Sequence, residues 1–198
     1  MKIPLDLSFK GGRHYIQGGD LFNAVESAAR LLTNGDATYV GKLEFTRFAY
    51  KMTDLCIEEE GQRETCVGEG ELVHYDGQRQ PFWLSEGVQA PTGRRPFDED
   101  AMVAHATFIE QSATLRVPIQ YTSIEAVIAL TKVLNYRLTA PKQGKWVFGK
   151  IELSQALPTI CESLTITRSK GVLGRFSINE IVIDGRQVGV IQFIVGSP

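Results

Sequence analysis

The sequence predicts an α+β protein built from two tandem copies of one unit, each a single helix followed by antiparallel strands. Three observations predict it. Val40-Gly41-Lys42-Leu43-Glu44-Phe45 resembles Phe148-Gly149-Lys150-Ile151-Glu152-Leu153, with Gly-Lys displaced by 108 positions. Tyr75-Asp76-Gly77-Gln78-Arg79 resembles Ile183-Asp184-Gly185-Arg186-Gln187, with Asp-Gly displaced by the same 108. One helical pattern precedes the Gly-Lys strand in each half. Two anchors 35 residues apart that keep one offset indicate a duplication. Ile16-Gln17 meets Ile119-Gln120 at a smaller offset of 103, which a longer loop around Ala140 to Lys145 accounts for.

The first unit opens on Ile3 to Phe9, where apolar and polar residues alternate as in a strand. Gly11-Gly12 breaks it, and a glycine-rich stretch leads to Asp20. Asp20 is expected to cap the first helix, because its carboxylate can accept from free first-turn amides. Leu21, Ala24, Val25, Ala28 and Leu32 then follow at one-face spacing, with Asn23, Glu26 and Arg30 opposite. Asn34-Gly35 is the expected C-terminal stop. Strands are expected over Tyr39 to Phe45, Leu55 to Glu59, Cys66 to His74 and Pro81 to Leu84, the last two joined at the Asp76-Gly77 turn.

Gly87 to Arg95 reads as the linker, with two glycines, a proline and two arginines. This gives a first repeat over 1–90, a linker over 91–100 and a second repeat over 101–198. Strand-like alternation runs from Thr107 to Ile119. Thr122-Ser123-Ile124-Glu125 matches a capping box, in which Glu125 reaches back to the start of its helix. That helix, Ser123 to Leu138, is apolar nearly all round and is expected to be deeply buried. Strands follow at Trp146 to Leu153, Ser163 to Arg168, Leu173 to Ile183 and Val188 to Val195, with Asp184-Gly185 as the last hairpin turn.

Whole-chain properties narrow the function. Charged residues make up 22% and the net charge is −2, so no strong field draws the chain toward nucleic acid. No apolar run approaches the roughly 18 residues of a spanning helix, and the start carries no signal-peptide pattern. Three cysteines without metal-ligand spacing suggest a reducing compartment, so cytoplasm is the expected location. Cys56 and Cys66 flank a stretch symmetric about Gly61, a spacing that would make them cross-strand neighbours if the stretch formed a hairpin. His74 and His105 read as surface residues. Neither a metal nor a cofactor is expected.

One apolar helix followed by a long antiparallel sheet, repeated in tandem, resembles the hotdog fold in its double form. The likeness covers nearly the whole chain at the level of element order. The Gly-Lys strand and the closing Asp-Gly hairpin resemble that family's later strands. The resemblance implies a double hotdog in which the two units form a pseudo-dimer. It further implies activity on acyl-CoA or acyl-carrier-protein thioesters, by hydrolysis or dehydration. A homo-oligomer is left open.

The resemblance also suggests site residues. His14 with Gly18 gives His-x-x-x-Gly, and such a histidine serves the dehydratases as base. Glu125 would be its partner carboxylate from the second helix. In the thioesterases an acid at or on the helix activates water, which points to Asp20 or Glu26. Gly18 and Gly19 would let backbone amides approach a carbonyl, and Arg13, with Arg94 and Arg95, would meet phosphate. Each has a plainer reading: His14 as a loop residue, Asp20 and Glu125 as caps, Glu26 on a solvated face. The family's proline after Gly18 is missing, and Ala129 stands four residues after Glu125 where the family has Gln or His. A non-catalytic binding or scaffolding double hotdog is therefore the alternative.

Overall fold

A computed structural model of the chain describes residues 1–33, 38–58, 63–116, 121–172 and 174–197. The described chain divides into two compact units, Met1–Phe97 and Asp98–Pro198.

In the first unit, helix α1 spans Gly18–Leu32 and buries Gly19, Leu21, Phe22, Val25, Ala28 and Ala29. The buried stripe follows the expected spacing but is turned toward Phe22 and Ala29. Leu32, expected inside, is 40% exposed. The helix starts two residues earlier than Asp20. Gln17 is its N-cap and makes no side-chain cap bond, so Asp20 sits inside the first turn rather than capping it. Thr33 closes the last turn by donating to the Ala29 carbonyl. The expected Asn34-Gly35 stop lies outside the described residues.

The strands of this unit are β1 (Lys2–Pro4), β2 (Phe9–Lys10), β3 (Tyr39–Phe45), β4 (Thr53–Ile57), β5 (Cys66–Val73), β6 (Arg79–Glu86) and β7 (Arg94–Arg95). Five form an antiparallel sheet in the order β1-β4-β6-β5-β3. The short β2 and β7 pair in parallel, Phe9 with Arg94 and Lys10 with Arg95. The first expected strand is thus two short ones. The presumed linker ends in β7, tied to the start of the chain.

Cys56 and Cys66 are not neighbours. Cys56 faces Trp83 and Lys2, while Cys66 faces Ser85, because β6 lies between β4 and β5. All three cysteines are free.

The second unit begins with α2 (Glu99–Val103), a helix the sequence reading missed. Its signal was present: Asp98 caps it by accepting from the Ala101 amide at 2.9 Å, with Glu99 and Asp100 in the first turn. Next come β8 (Thr107–Ile109) and β9 (Ser112–Leu115), a hairpin where a single strand was expected. Helix α3 (Ser123–Leu138) buries Ile124, Ala126, Val127, Ala129, Leu130 and Leu134, as its all-round apolar character requires. Then follow β10 (Lys145–Leu153), β11 (Leu164–Val172), β12 (Phe176–Ile183) and β13 (Arg186–Gly196). The strand order here is β10-β13-β12-β11-β9-β8.

Gly41 and Gly149 occupy matching register irregularities, in β3 against β5 and in β10 against β13. The sheets nonetheless differ. After their helices the first unit runs β3-β5-β6-β4 and the second β10-β13-β12-β11. The cause lies in one connection. A turn closed by Arg175 donating to the Val172 carbonyl at 3.0 Å links β11 directly to β12. The corresponding β4-to-β5 connection is longer and contains a 3-10 turn at Arg63–Thr65, so β5 need not lie beside β4. The Asp-Gly turns differ too. Asp184 and Gly185 both have positive φ, 48° and 78°, as a two-residue hairpin needs. Around Asp76-Gly77 only the glycine does, at 82°, and the His74 amide donates to Gln78 across a longer loop.

Candidate functional site

The loop from Phe9 to Asp20 gathers most of the expected site residues of the first unit. Gly11, at φ 52°, turns the chain out of β2. Arg94 holds the turn by donating to the carbonyls of Gly11 at 2.5 Å and Arg13 at 2.9 Å, and its guanidinium lies over the Phe9 ring. Lys10 and Arg13 both lie over the Phe97 ring, at 4.9 and 5.6 Å. Downstream, the Ile16 amide donates to the Ala49 carbonyl, and Tyr15 meets Phe48 edge to face. The loop is therefore braced on both sides and delivers the chain into α1 in a set direction.

Each expected residue has a defined place. His14 is exposed, and among the described residues nothing hydrogen-bonds its ring. Arg13 donates from Nη1 and Nε to the Gln17 amide oxygen, at 2.7 and 3.2 Å. Gly18 and Gly19 are the first two residues of α1 rather than a flexible approach to it, and Gly19 is buried. Asp20 forms a mostly enclosed ion pair with Lys10 at 2.5 Å. His14 and Asp20 are not in bonding contact. Arg13 and Arg94 do come to one loop, though Arg94 is spent on backbone carbonyls and Arg95 is exposed.

Glu125 makes the capping box. Its Oε2 accepts from the Thr122 amide at 3.0 Å and from the Thr122 hydroxyl at 2.8 Å. His74, read as a surface residue, is instead held between Thr38 at 3.3 Å and Gln80 at 3.2 Å. His105 is exposed.

Glu26 departs most from expectation. Its side chain is only 12% exposed, where a solvated face was expected. Burial pushes its carboxyl above the usual range, against the Arg30 charge and a backbone hydrogen bond from Val40, which pull it down. Oε1 is buried and has no hydrogen-bond partner among the described residues. The helical period missed this because β3, not the helix itself, meets that face: the Val40 backbone bonds the carboxylate. Val40 precedes Gly41, where the β3 register shifts. Among the described residues no group of three or more His, Cys, Asp or Glu could hold a metal ion, and no described helix is long and apolar enough to cross a membrane.

A long helix with an antiparallel sheet in each unit is a fold of the hotdog type. Two solved structures share that fold at a TM-score of 0.50. The dehydratase domain of PpsC from Mycobacterium tuberculosis, in complex with C12:1-CoA, matches with a TM-score of 0.50 and 10% identity, over 98% of this chain and 92% of that one. The pyran synthase domain from module nine of the sorangicin pathway matches with a TM-score of 0.50 and 10% identity, over 96% and 91%. An acyl-ACP thioesterase from Bacteroides thetaiotaomicron has a TM-score of 0.46 and 11% identity, over 98% and 96%. At such identities the likeness assigns the fold alone. No protein-family model and no curated protein matches the chain.

Proposed function

We propose that this protein binds acyl thioesters, of coenzyme A or of an acyl carrier protein, and converts them by hydrolysis or dehydration, with Glu26 as the proton-transfer group. The supporting observation is the Glu26 carboxyl: enclosed, pushed up by burial and carrying an oxygen without a partner. A base works best when its pKa approaches the working pH, and burial moves a carboxyl that way. In hydrolysis, Glu26 takes a proton from water as the water oxygen attacks the thioester carbonyl. The C–S bond then breaks, and the leaving thiolate takes up the proton. Binding of C12:1-CoA by the structurally similar dehydratase domain supports the substrate class.

The other candidates take separate places in this reading. Glu26 lies six residues beyond Asp20, about 9 Å along the helix. First-turn amides at Gly18 and Gly19 therefore cannot meet Glu26 at one carbonyl, and serve, with Arg13, to hold the carrier end of the substrate. His14 with Glu125 forms the dehydratase-like alternative pair, and Asp20 is the alternative thioesterase acid. The pairing of the two units as a double-hotdog pseudo-dimer is part of the same proposal and rests on the sequence repeat.

A second reading, a non-catalytic binding or scaffolding protein, is favoured by the engagement of Asp20 with Lys10 and of Glu125 with Thr122. One experiment separates the two. The unmodified protein, Glu26→Gln and His14→Ala are assayed for hydrolysis and dehydration over a panel of acyl-CoAs, with binding measured in parallel. The enzyme reading expects turnover that Glu26→Gln lowers at least about tenfold, roughly 1.4 kcal/mol of transition-state stabilisation. Binding without turnover leaves the scaffold reading. Neither binding nor turnover ends both.

A further inference from the structure

The loop that delivers the chain into α1 leans on a second loop, and one carboxylate holds that second loop. Residues 46–52, between β3 and β4, belong to no helix or strand. From among them Ala49 bridges to Ile16, whose amide donates to the Ala49 carbonyl at 2.8 Å. Phe48 meets Tyr15 edge to face, with ring centroids 4.9 Å apart. Ile16 and Ala49 are both buried. Gln17, the next residue, is the N-cap of α1, and its side-chain oxygen accepts from Arg13.

Glu86, the last residue of β6, closes the second loop. Its Oε1 accepts from the Lys51 amide at 2.9 Å and from the Tyr50 amide. Its Oε2 accepts from Arg47 Nη1 at 2.5 Å. Arg47 in turn donates from Nη2 to the Thr65 carbonyl at 3.2 Å. One carboxylate thus collects donors from both ends of the span 47–51. The Glu86 side chain is only 10% exposed, and charge-assisted bonds shielded from water are the stronger kind. It makes no other hydrogen bond among the described residues, so its whole engagement is with this loop.

We propose that Glu86 is the positioning residue of the entry to α1. By clamping residues 47–51 it fixes Phe48 and Ala49, and through them Ile16, Gln17, Arg13 and the first-turn amides of the helix. This rests on the reading that those groups hold the carrier end of an acyl thioester. A loop ordered before the substrate arrives does not have to be ordered by it, so the clamp contributes to affinity. Glu26 is held separately, by the packing of α1 on β3. Release of the clamp should therefore weaken binding and leave proton transfer intact.

The test uses the full-length chain with Glu86→Met, which keeps the length and removes both acceptors, and Glu86→Gln, which keeps one oxygen for the Tyr50 and Lys51 amides. Backbone amide exchange of the 15N-labelled proteins is followed by NMR without substrate. In Glu86→Met the Ile16 amide should exchange about tenfold or more faster relative to the amides of the β5–β6 ladder, as for a local opening that costs less than global unfolding. Glu86→Gln should fall between Glu86→Met and the unmodified protein. An Ile16 rate that rises only in proportion to the ladder, or not at all, overturns the positioning role. With dodecanoyl-CoA, Glu86→Met should raise KM about tenfold and keep kcat within about twofold. A fall in kcat at unchanged KM also overturns it. If the unmodified protein neither binds nor turns over acyl-CoA, the acyl-thioester reading fails, and the exchange rates still decide the clamp. Should Glu86→Met not fold, Arg47→Met, at a side chain 41% exposed, removes the Oε2 donor alone and should give the same selective rise at Ile16, smaller in size.

Discussion

Lys10 Nζ lies 2.5 Å from Asp20 Oδ1, joining β2 to the first turn of α1 with both side chains largely enclosed. Removing one partner of such a pair strands the other charge, which costs more than the pair contributes. Asp20→Asn and Lys10→Met should therefore each destabilise the chain by about 2–4 kcal/mol. The double variant should lose clearly less than the sum. Urea unfolding of the four proteins in a double-mutant cycle measures this, and additive losses would mean the pair is not coupled.

Glu26 makes a prediction of opposite sign. Its carboxyl is pushed up in the folded chain, chiefly by burial. Its contribution to stability is complete below the ordinary glutamate value and is lost as pH rises through the raised folded value. Glu26→Gln should therefore leave stability near pH 4 almost unchanged and raise it near pH 8, by about 1 kcal/mol. Thermal unfolding at both pH values checks it. A loss of stability at pH 8 would mean that the Arg30 pairing outweighs burial.

Glu86 should behave the other way. Burial would raise its carboxyl, but the Arg47 hydrogen bond, the Tyr50 and Lys51 amides and the Arg47 charge together hold it below the usual range. That contribution is present above the ordinary glutamate value and is lost as pH falls through the lowered one. Glu86→Gln should cost about 1 kcal/mol at pH 7 and progressively less on acidification. Equal losses at pH 7 and pH 3 would contradict this.

Glu125 tests the line between cap and catalyst. Loss of the capping-box carboxylate in Glu125→Ala should cost about 1 kcal/mol of stability. Glu125→Gln, which can still accept from the Thr122 amide, should recover most of it. An acyl-CoA turnover that Glu125→Gln abolishes with stability intact would assign the residue to catalysis.

Local patterns carried much of the fold. The spacing of Ile124, Val127 and Leu134 places α3, and Thr122 with Glu125 fixes its start. Alternation within Tyr39 to Phe45 and Trp146 to Leu153 places the strands that follow each helix. Local patterns mislead where a side chain's surroundings come from distant segments. Glu26 looks solvated on a helical wheel, yet its carboxyl is enclosed and accepts from Val40 of β3. Cys56 and Cys66 look like hairpin neighbours, yet Trp83 and Ser85 are their partners. Asp20 looks like a cap, yet Lys10, ten residues earlier, takes its carboxylate.

The sequence by itself determined the α+β class, the helix in each half and the paired Gly-Lys and Asp-Gly positions, because these depend on periodicity and turn chemistry within a few residues. Only the tertiary structure decided the strand order within each sheet, the enclosure of Glu26 and the meeting of Glu86 with Arg47. Those follow from which strands pair over long separations. Many pairings satisfy the same alternation, and the choice among them is made by connection length and by burial of the whole unit at once.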